Sequence, residues 1–232
     1  MTLVWRPGYL AEGDPYFSNV ALLLHGNGTN GSTTITDSSP TPKTVTAFGN
    51  AQISTAQSKF GGASIAFGGT DDRLTVPASA DFAFRAGNFT CECWVRTTAF
   101  EDRGVFNINP SSYFQSTLEN SIGLGFNASK TWSIYAKNTA TSSTVEYNTN
   151  TWYHVALVRS GTTTVLYVDG SSIITVTSDA TNYTCTFLGI GGWFSTSFLL
   201  KGFIDDLRIT KGVARYTANF TPPDAPFPDA QY

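Results

Sequence analysis

Charge is scarce in this sequence. Asp, Glu, Lys and Arg make up 13% of its 232 residues, about half the ~25% usual in soluble domains. Fourteen Lys and Arg against 17 Asp and Glu leave a net charge of −3, and no stretch concentrates the basic residues. That argues against nucleic-acid binding by phosphate neutralisation and against an anionic membrane surface as partner. Histidine is scarcer still, with only His25 and His154. Three cysteines, Cys91, Cys93 and Cys185, form no Cys/His metal pattern with them. Cys91 and Cys93 would share one face of a strand, too far apart to bridge each other. A bridge from Cys185 to either one stays open, beside the plainer reading of three small buried hydrophobes. No apolar run approaches the ~18 residues of a membrane helix. The segment Met1–Tyr16 lacks the basic start and apolar core of a signal peptide, so folding in a cytosol is expected. Helical periodicity never persists beyond two turns; a short helical turn is expected only near Gly212–Tyr216.

Aromatic and β-branched residues are what the chain has instead. Seventeen Phe, 10 Tyr and 5 Trp among many Thr, Ser, Asn and Gly favour sheet. Val20–Leu24, Thr44–Phe48, Ala63–Phe67 and Arg73–Val76 read as short strands. In Phe89–Thr97, Phe89, Cys91, Cys93 and Val95 alternate with Thr90, Glu92, Trp94 and Arg96. Ile122, Leu124 and Phe126 alternate with glycines, and Trp152–Val158 is apolar on both faces, as a central strand should be. Asp169-Gly170 between Val165–Val168 and Ile173–Val176 is a hairpin signal. Thr184–Ile190 and Phe203–Thr210 complete a set of about twelve to fourteen strands. The expected architecture is all-β, a two-sheet antiparallel sandwich or jelly roll. Residues 1–18 are expected to form an N-terminal arm, 19–221 the sandwich, and 222–232 a proline-rich tail.

Three segments resemble a known family. Phe89-Thr90-Cys91-Glu92-Cys93-Trp94-Val95-Arg96 resembles its "F-T-x-E-x-W-V" strand. Trp152-Tyr153-His154-Val155-Ala156, followed by Tyr167-Val168-Asp169-Gly170, resembles its "W-x-H-V-A" strand and "Y-V-D-G" hairpin. Phe203-Ile204-Asp205-Asp206-Leu207-Arg208-Ile209 resembles its closing strand. Together they are similar to laminin-G/concanavalin A-like lectin domains over residues 16–228, which implies a concanavalin A-like sandwich. Asp14-Pro15-Tyr16-Phe17-Ser18-Asn19-Val20, Lys59-Phe60-Gly61-Gly62 and Ile209-Thr210-Lys211-Gly212-Val213-Ala214-Arg215-Tyr216 look like such domains in bacteriophage tail and virion proteins. The resemblance implies a virion location, other virion proteins as partners and a homo-oligomer.

The candidate site residues divide by chemistry. Hydrolase relatives place two acids on alternate residues of one strand; the strand of Glu92 has no second acid at that spacing, and Glu101 and Asp102 are adjacent. No catalytic residue is therefore assigned, and the chain is expected not to be an enzyme. Period two puts Phe203, Asp205, Leu207 and Ile209 on one apolar face, where Asp205 needs hydrogen-bond donors or a cation. The resemblance implies structural calcium there, held by Asp205 with the turn at Asn27 and Gly28 near His25. Asn27 stands where phage relatives often show Asp. Trp193, Phe100, Arg103 and Tyr113 lie in polar-aromatic loops and are the candidates for stacking on and bonding a host-cell glycan. The expected function is a non-catalytic bacteriophage surface appendage or adhesion module. The alternative is a structural capsid decoration (cement) or head-fibre protein, the chain being read as a whole small protein with a Pro/Gly arm.

Overall fold

The computed structural model describes residues 13–101, 103–110, 119–193 and 195–231; of residues 193 and 195–197 it describes the backbone alone. Seventeen strands lie among them. In chain order they are β1 (Val20–Leu24), β2 (Thr46–Phe48), β3 (Gln52–Ser54), β4 (Ser64–Gly68), β5 (Arg73–Val76), β6 (Phe89–Thr97), β7 (Arg103–Asn109) and β8 (Ile122–Phe126). There follow β9 (Trp132–Ala136), β10 (Thr139–Ser142), β11 (Tyr153–Ser160), β12 (Thr163–Val168), β13 (Ser171–Val176), β14 (Phe187–Ile190), β15 (Gly192–Trp193), β16 (Ser195–Leu199) and β17 (Lys201–Lys211). One sheet runs β13-β12-β11-β6-β17-β4-β3, with β1 also paired to β17. The other runs β10-β9-β8-β7-β14-β5-β2, and β15–β16 is a separate hairpin. All pairings are antiparallel, and the expected jelly-roll sandwich is what forms.

Alternation decides which side of each strand enters the core. Phe89, Cys91, Cys93 and Val95 of β6 join Val155 and Leu157 of β11 and Leu22 and Leu24 of β1. They meet Phe106, Ile108, Ile122, Leu124, Trp132, Ile134, Leu188 and Ile190 of the facing sheet. Each such side chain, taken fully out of water, contributes roughly 1.5–3 kcal/mol. All three cysteines are buried and free. Strands β3 and β10 carry too little apolar signal to anticipate; β7, β9 and the β15–β16 pair also lie outside the strands expected from the sequence.

The Asp169-Gly170 turn forms as its sequence predicts, with φ of +46° and +75° at its two residues. Asp169 Oδ1 accepts the His154 amide at 2.8 Å, and the Gly170 carbonyl accepts the Phe220 amide at 3.0 Å. The turn therefore docks the chain's end. A Cβ on Gly170 would sit 1.7 Å from the Phe220 carbonyl oxygen. We expect Gly170→Ala to lower stability by about 1–3 kcal/mol through this clash and the positive φ, read as a lower urea midpoint.

That end covers the outer face of the eight-stranded sheet. Tyr216 and Phe220 stack with ring centroids 3.6 Å apart and pack on Ala156, Val158 and Tyr167. Phe227 is buried against Val20 and Leu23. No helix forms over 212–216; the segment is bent irregular chain, because Arg215 is drawn to the buried carboxylate of Asp14 and Tyr216 to that of Glu92 on the sheet. Of residues 1–18, those before Gly13 lie outside the described residues. Asp14 is buried and its amide donates to the Ala230 carbonyl at 2.8 Å, so the two terminal segments meet. No helix among the described residues is long and apolar enough to cross a membrane.

Candidate functional site

The closing strand carries the first cluster, and a bulge sets its geometry. Ile204 pairs with Val95 and Asp205 with Trp94, but Arg208 pairs with Glu92. One extra residue is thus inserted, and Asp206 takes φ +50° to absorb it. The insertion reverses the alternation. Ile204, Leu207 and Ile209 enter the core, while Asp205 pairs with the outward Trp94. The expected common face of Phe203, Asp205, Leu207 and Ile209 is therefore corrected: an unbroken period of two does not survive the bulge.

Asp205 is fully buried nonetheless, under the loop that follows β3. Its Oδ2 accepts the amides of Lys59 at 2.7 Å and Phe60 at 3.0 Å, and Oδ1 has no hydrogen-bond partner among the described residues. Burial, helped by the charge of Asp206, pushes the carboxyl up to about 6 against the pull of the two amides. The Lys59 ammonium lies 3.8 Å over the Trp94 ring. The same loop reaches the turn after β1: a Cβ on Gly61 would lie 2.1 Å from Asn27 Oδ1, and one on Gly28 would touch Ile53. An orphaned buried carboxylate oxygen is what a hard cation would satisfy. Calcium would take Asp205, Asn27 and the carbonyl of Gly28. The set supplies one charge only, and no group of three or more His, Cys, Asp or Glu side chains among the described residues could hold a metal.

Asp206 faces the chain's end. Its Oδ1 lies 2.6 Å from His25 Nδ1 and its Oδ2 accepts the Phe227 amide at 2.6 Å. That hydrogen bond holds His25 above its ordinary pKa.

Next to it lies a buried ion network that no sequence motif announces. Arg208 Nε and Nη2 donate to Glu92 Oε1 at 3.0 and 2.8 Å, and Nη1 donates to Asp14 Oδ2 at 3.1 Å. Arg215 forks onto both oxygens of Asp14, at 3.0 and 2.6 Å. Tyr216 donates its hydroxyl to Glu92 Oε2 at 2.8 Å, and His154 Nε2 stands 3.4 Å from that oxygen. Burial opposes ionisation of Glu92, yet Arg208, His154 and Arg215 hold it well below the usual carboxylate range. Asp14 is lowered in the same way, burial being outweighed by Arg215, the Tyr16 amide and Arg208. Two acids do come together here, but both are ionised and occupied by arginines. Neither can serve as the proton donor that glycoside hydrolysis requires.

Of the four loop candidates, the structure describes the side chains of Phe100 and Arg103. Phe100 is half-buried and packs edge-on to Phe126, with centroids 5.4 Å apart. Arg103 donates to the carbonyls of Gly69 at 3.2 Å and Leu199 at 2.6 Å and pairs with Glu101; burial lowers its pKa. It acts as a staple between loops. Tyr113 lies outside the described residues, as does the side chain of Trp193. The backbone of Trp193 is placed, in β15, which crosses the outer face of the seven-stranded sheet: Asn107 Nδ2 donates to the Gly192 carbonyl at 2.7 Å. Beneath the hairpin, pairing aligns Thr75, Gly189, Asn107, Gly123 and Tyr135 in one row across five strands. The two glycines leave the sheet surface low on either side of Asn107, between it and Thr75 and between it and Tyr135.

A lectin-type sandwich with an outer face shaped by small and polar residues is thus the class of protein defined. A family profile described as the concanavalin A-like lectin/glucanases superfamily matches residues 67–215, and the chain belongs to that family. No curated protein matches its sequence significantly. Among solved structures it is similar to domain 4 of AbnA, a GH43 extracellular arabinanase from Geobacillus stearothermophilus, in complex with arabinotriose. That match has 16% identity, covers 84% of this chain and 94% of the other, and gives a TM-score of 0.60. It is similar also to the binding domain of Paraclostridial Mosquitocidal Protein 1 (13% identity, 87% and 50% covered, TM-score 0.63). A third likeness is to the binding domain of botulinum neurotoxin DC in complex with SialylT (15% identity, 85% and 49% covered, TM-score 0.57). The chain spans about half the length of these toxin binding domains. At such identities the likeness is one of fold.

Proposed function

We propose that this chain is a non-catalytic adhesion module that binds glycans on a host-cell surface and is carried on a bacteriophage particle. The observation that carries the non-catalytic part is the state of its paired acids. Glu92 and Asp14 are closed off by Arg208 and Arg215, so this pair supports a binding role and not hydrolysis. The lectin-like sandwich supports glycan binding, as does the arabinotriose held by one structural relative. The phage assignment rests on the wording of the opening and closing segments. Calcium at Asp205, Asn27 and Gly28 belongs to this reading as a structural ion bracing the turn after β1.

A glycan array probed with purified protein tests it, with and without EDTA. Retention on a defined set of saccharides is expected, and an empty array at high protein concentration contradicts glycan binding. Antibody against the chain should decorate intact virions; labelling of none of them contradicts the particle assignment.

A further inference from the structure

Beside the turn after β5 lies an open depression of about 280 Å³ that carries two cations. Arg85 and Lys211 line it together with Ser79, Thr186, Ala78, Ala80 and Ala83. No carboxylate belongs to the lining, on a chain whose net charge is −3. Each wall is built. Ser79 donates its amide to the Thr186 carbonyl at 3.0 Å, which fixes the turn after β5 to the approach of β14. Phe82, fully buried, anchors that turn from below. Arg85 pairs its backbone both ways with Tyr183, at 2.9 and 3.0 Å. It does so at φ +57°, a conformation glycine would adopt more readily. Its side chain is exposed. Lys211 ends β17 and donates its ammonium to the Ala80 carbonyl at 2.6 Å, which holds that charge at the rim. The nearest acid, Asp81, lines the adjoining groove. It is engaged by Lys43 at 2.9 Å and by the Ser79 hydroxyl at 3.1 Å.

We infer that this depression binds a carboxylate-bearing sugar unit, such as a sialic or uronic acid. The inference rests on the glycan-binding reading and names the ligand class and the place. A guanidinium offers a carboxylate two parallel hydrogen bonds, and a fixed ammonium adds a point charge. Thr186 suits a sugar hydroxyl, and the exposed Ala78 and Ala80 suit the C–H face of a ring. The volume lies at the small end of ligand pockets, enough for one residue of an oligosaccharide. Inorganic anions would use the cations but not the methyl wall.

Amide chemical shifts of labelled protein, titrated with 3′-sialyllactose, digalacturonate, lactose and inorganic phosphate, test the inference. At least one acidic saccharide should shift Ala80, Thr186 and Lys211, while lactose does not shift them. Arg85→Glu and, separately, Lys211→Met should each weaken that binding roughly ten- to hundredfold without changing the melting temperature by more than a degree or two. Binding of the acids that ignores both substitutions, or that maps elsewhere, overturns the proposal. So does phosphate binding as tightly as the acidic sugars. If neutral glycans bind on the array and neither acidic probe binds, this site fails while the adhesion reading stands; if no glycan of any kind binds, the adhesion reading itself fails.

Discussion

Arg208→Ala should be among the most damaging single substitutions in this protein, lowering stability by about 3–5 kcal/mol. Removing one partner of a buried pair strands the other charge without water or counter-ion. Glu92 then loses its main counter-charge and Asp14 one of its two, both lying within 3.1 Å of the guanidinium, while Arg215 still forks onto Asp14. Its packing over the Phe227 ring, 3.8 Å away, is lost as well. For a chain of this size the melting temperature should fall by roughly 10 °C. The double change Arg208→Met with Glu92→Leu should cost less than Arg208→Ala, because the dominant penalty is the unpaired acid rather than the absent attraction. A double variant less stable than Arg208→Ala would contradict this. Loss of the network should also release the chain's end, seen as faster hydrogen exchange at Phe220 and Phe227.

Asp205 should make the protein less stable as pH rises, the reverse of a paired acid. Its folded-state pKa, about 6, exceeds the ordinary 3.8, so the folded protein holds the proton more tightly than the unfolded chain. The stabilisation is complete below about pH 4 and is lost as pH rises through 6. The two pKa values differ by about 2 units, which corresponds to about 3 kcal/mol. Asn at this position keeps the shape and abolishes the titration. The difference in unfolding free energy between wild type and Asp205→Asn should therefore move against the wild type between pH 4 and 7. The lowered acids Glu92 and Asp14 act in the opposite direction at lower pH and cancel in that difference. Calcium would bind the ionised form. If the proposed ion is present, millimolar calcium should restore the wild type above pH 6 and leave Asp205→Asn unmoved. A flat difference curve would show that Oδ1 has another partner, and an unchanged curve in calcium would remove the ion.

Most of the fold was legible because burial follows alternation. The strand Phe89–Thr97 announces its inward set, and Asp169-Gly170 announces its turn. What could not be read was any feature that breaks the period of two. The bulge at Asp206 is invisible in Phe203–Thr210, since the unbroken pattern there looks equally good. Strand β10, Thr-Ala-Thr-Ser, has no apolar side to show. The ion network joins Asp14, Glu92, Arg208 and Arg215 from separate parts of the chain, and only the sheet's pairing order brings them together. One signal was available: Glu92 and Arg208 both sit mid-strand, where a lone charge is rare, so each needed a partner. Arg85 and Lys211 gave no such hint, being surface residues 126 positions apart. Phe100 and Arg103 sit in a loop whose contacts the sequence does not show: Phe100 packs on Phe126 at the core edge and Arg103 donates to the carbonyls of Gly69 and Leu199.

The central claim is recognition of a glycan without turnover, and one experiment measures both halves. Purified protein is incubated with an immobilised polysaccharide that it retains on the array, and the retained protein and the released reducing ends are followed together for a day. Saturable retention with reducing ends at the level of a protein-free control is the predicted result. Reducing ends that accumulate in proportion to protein, or the absence of retention on every polysaccharide tried, would contradict it.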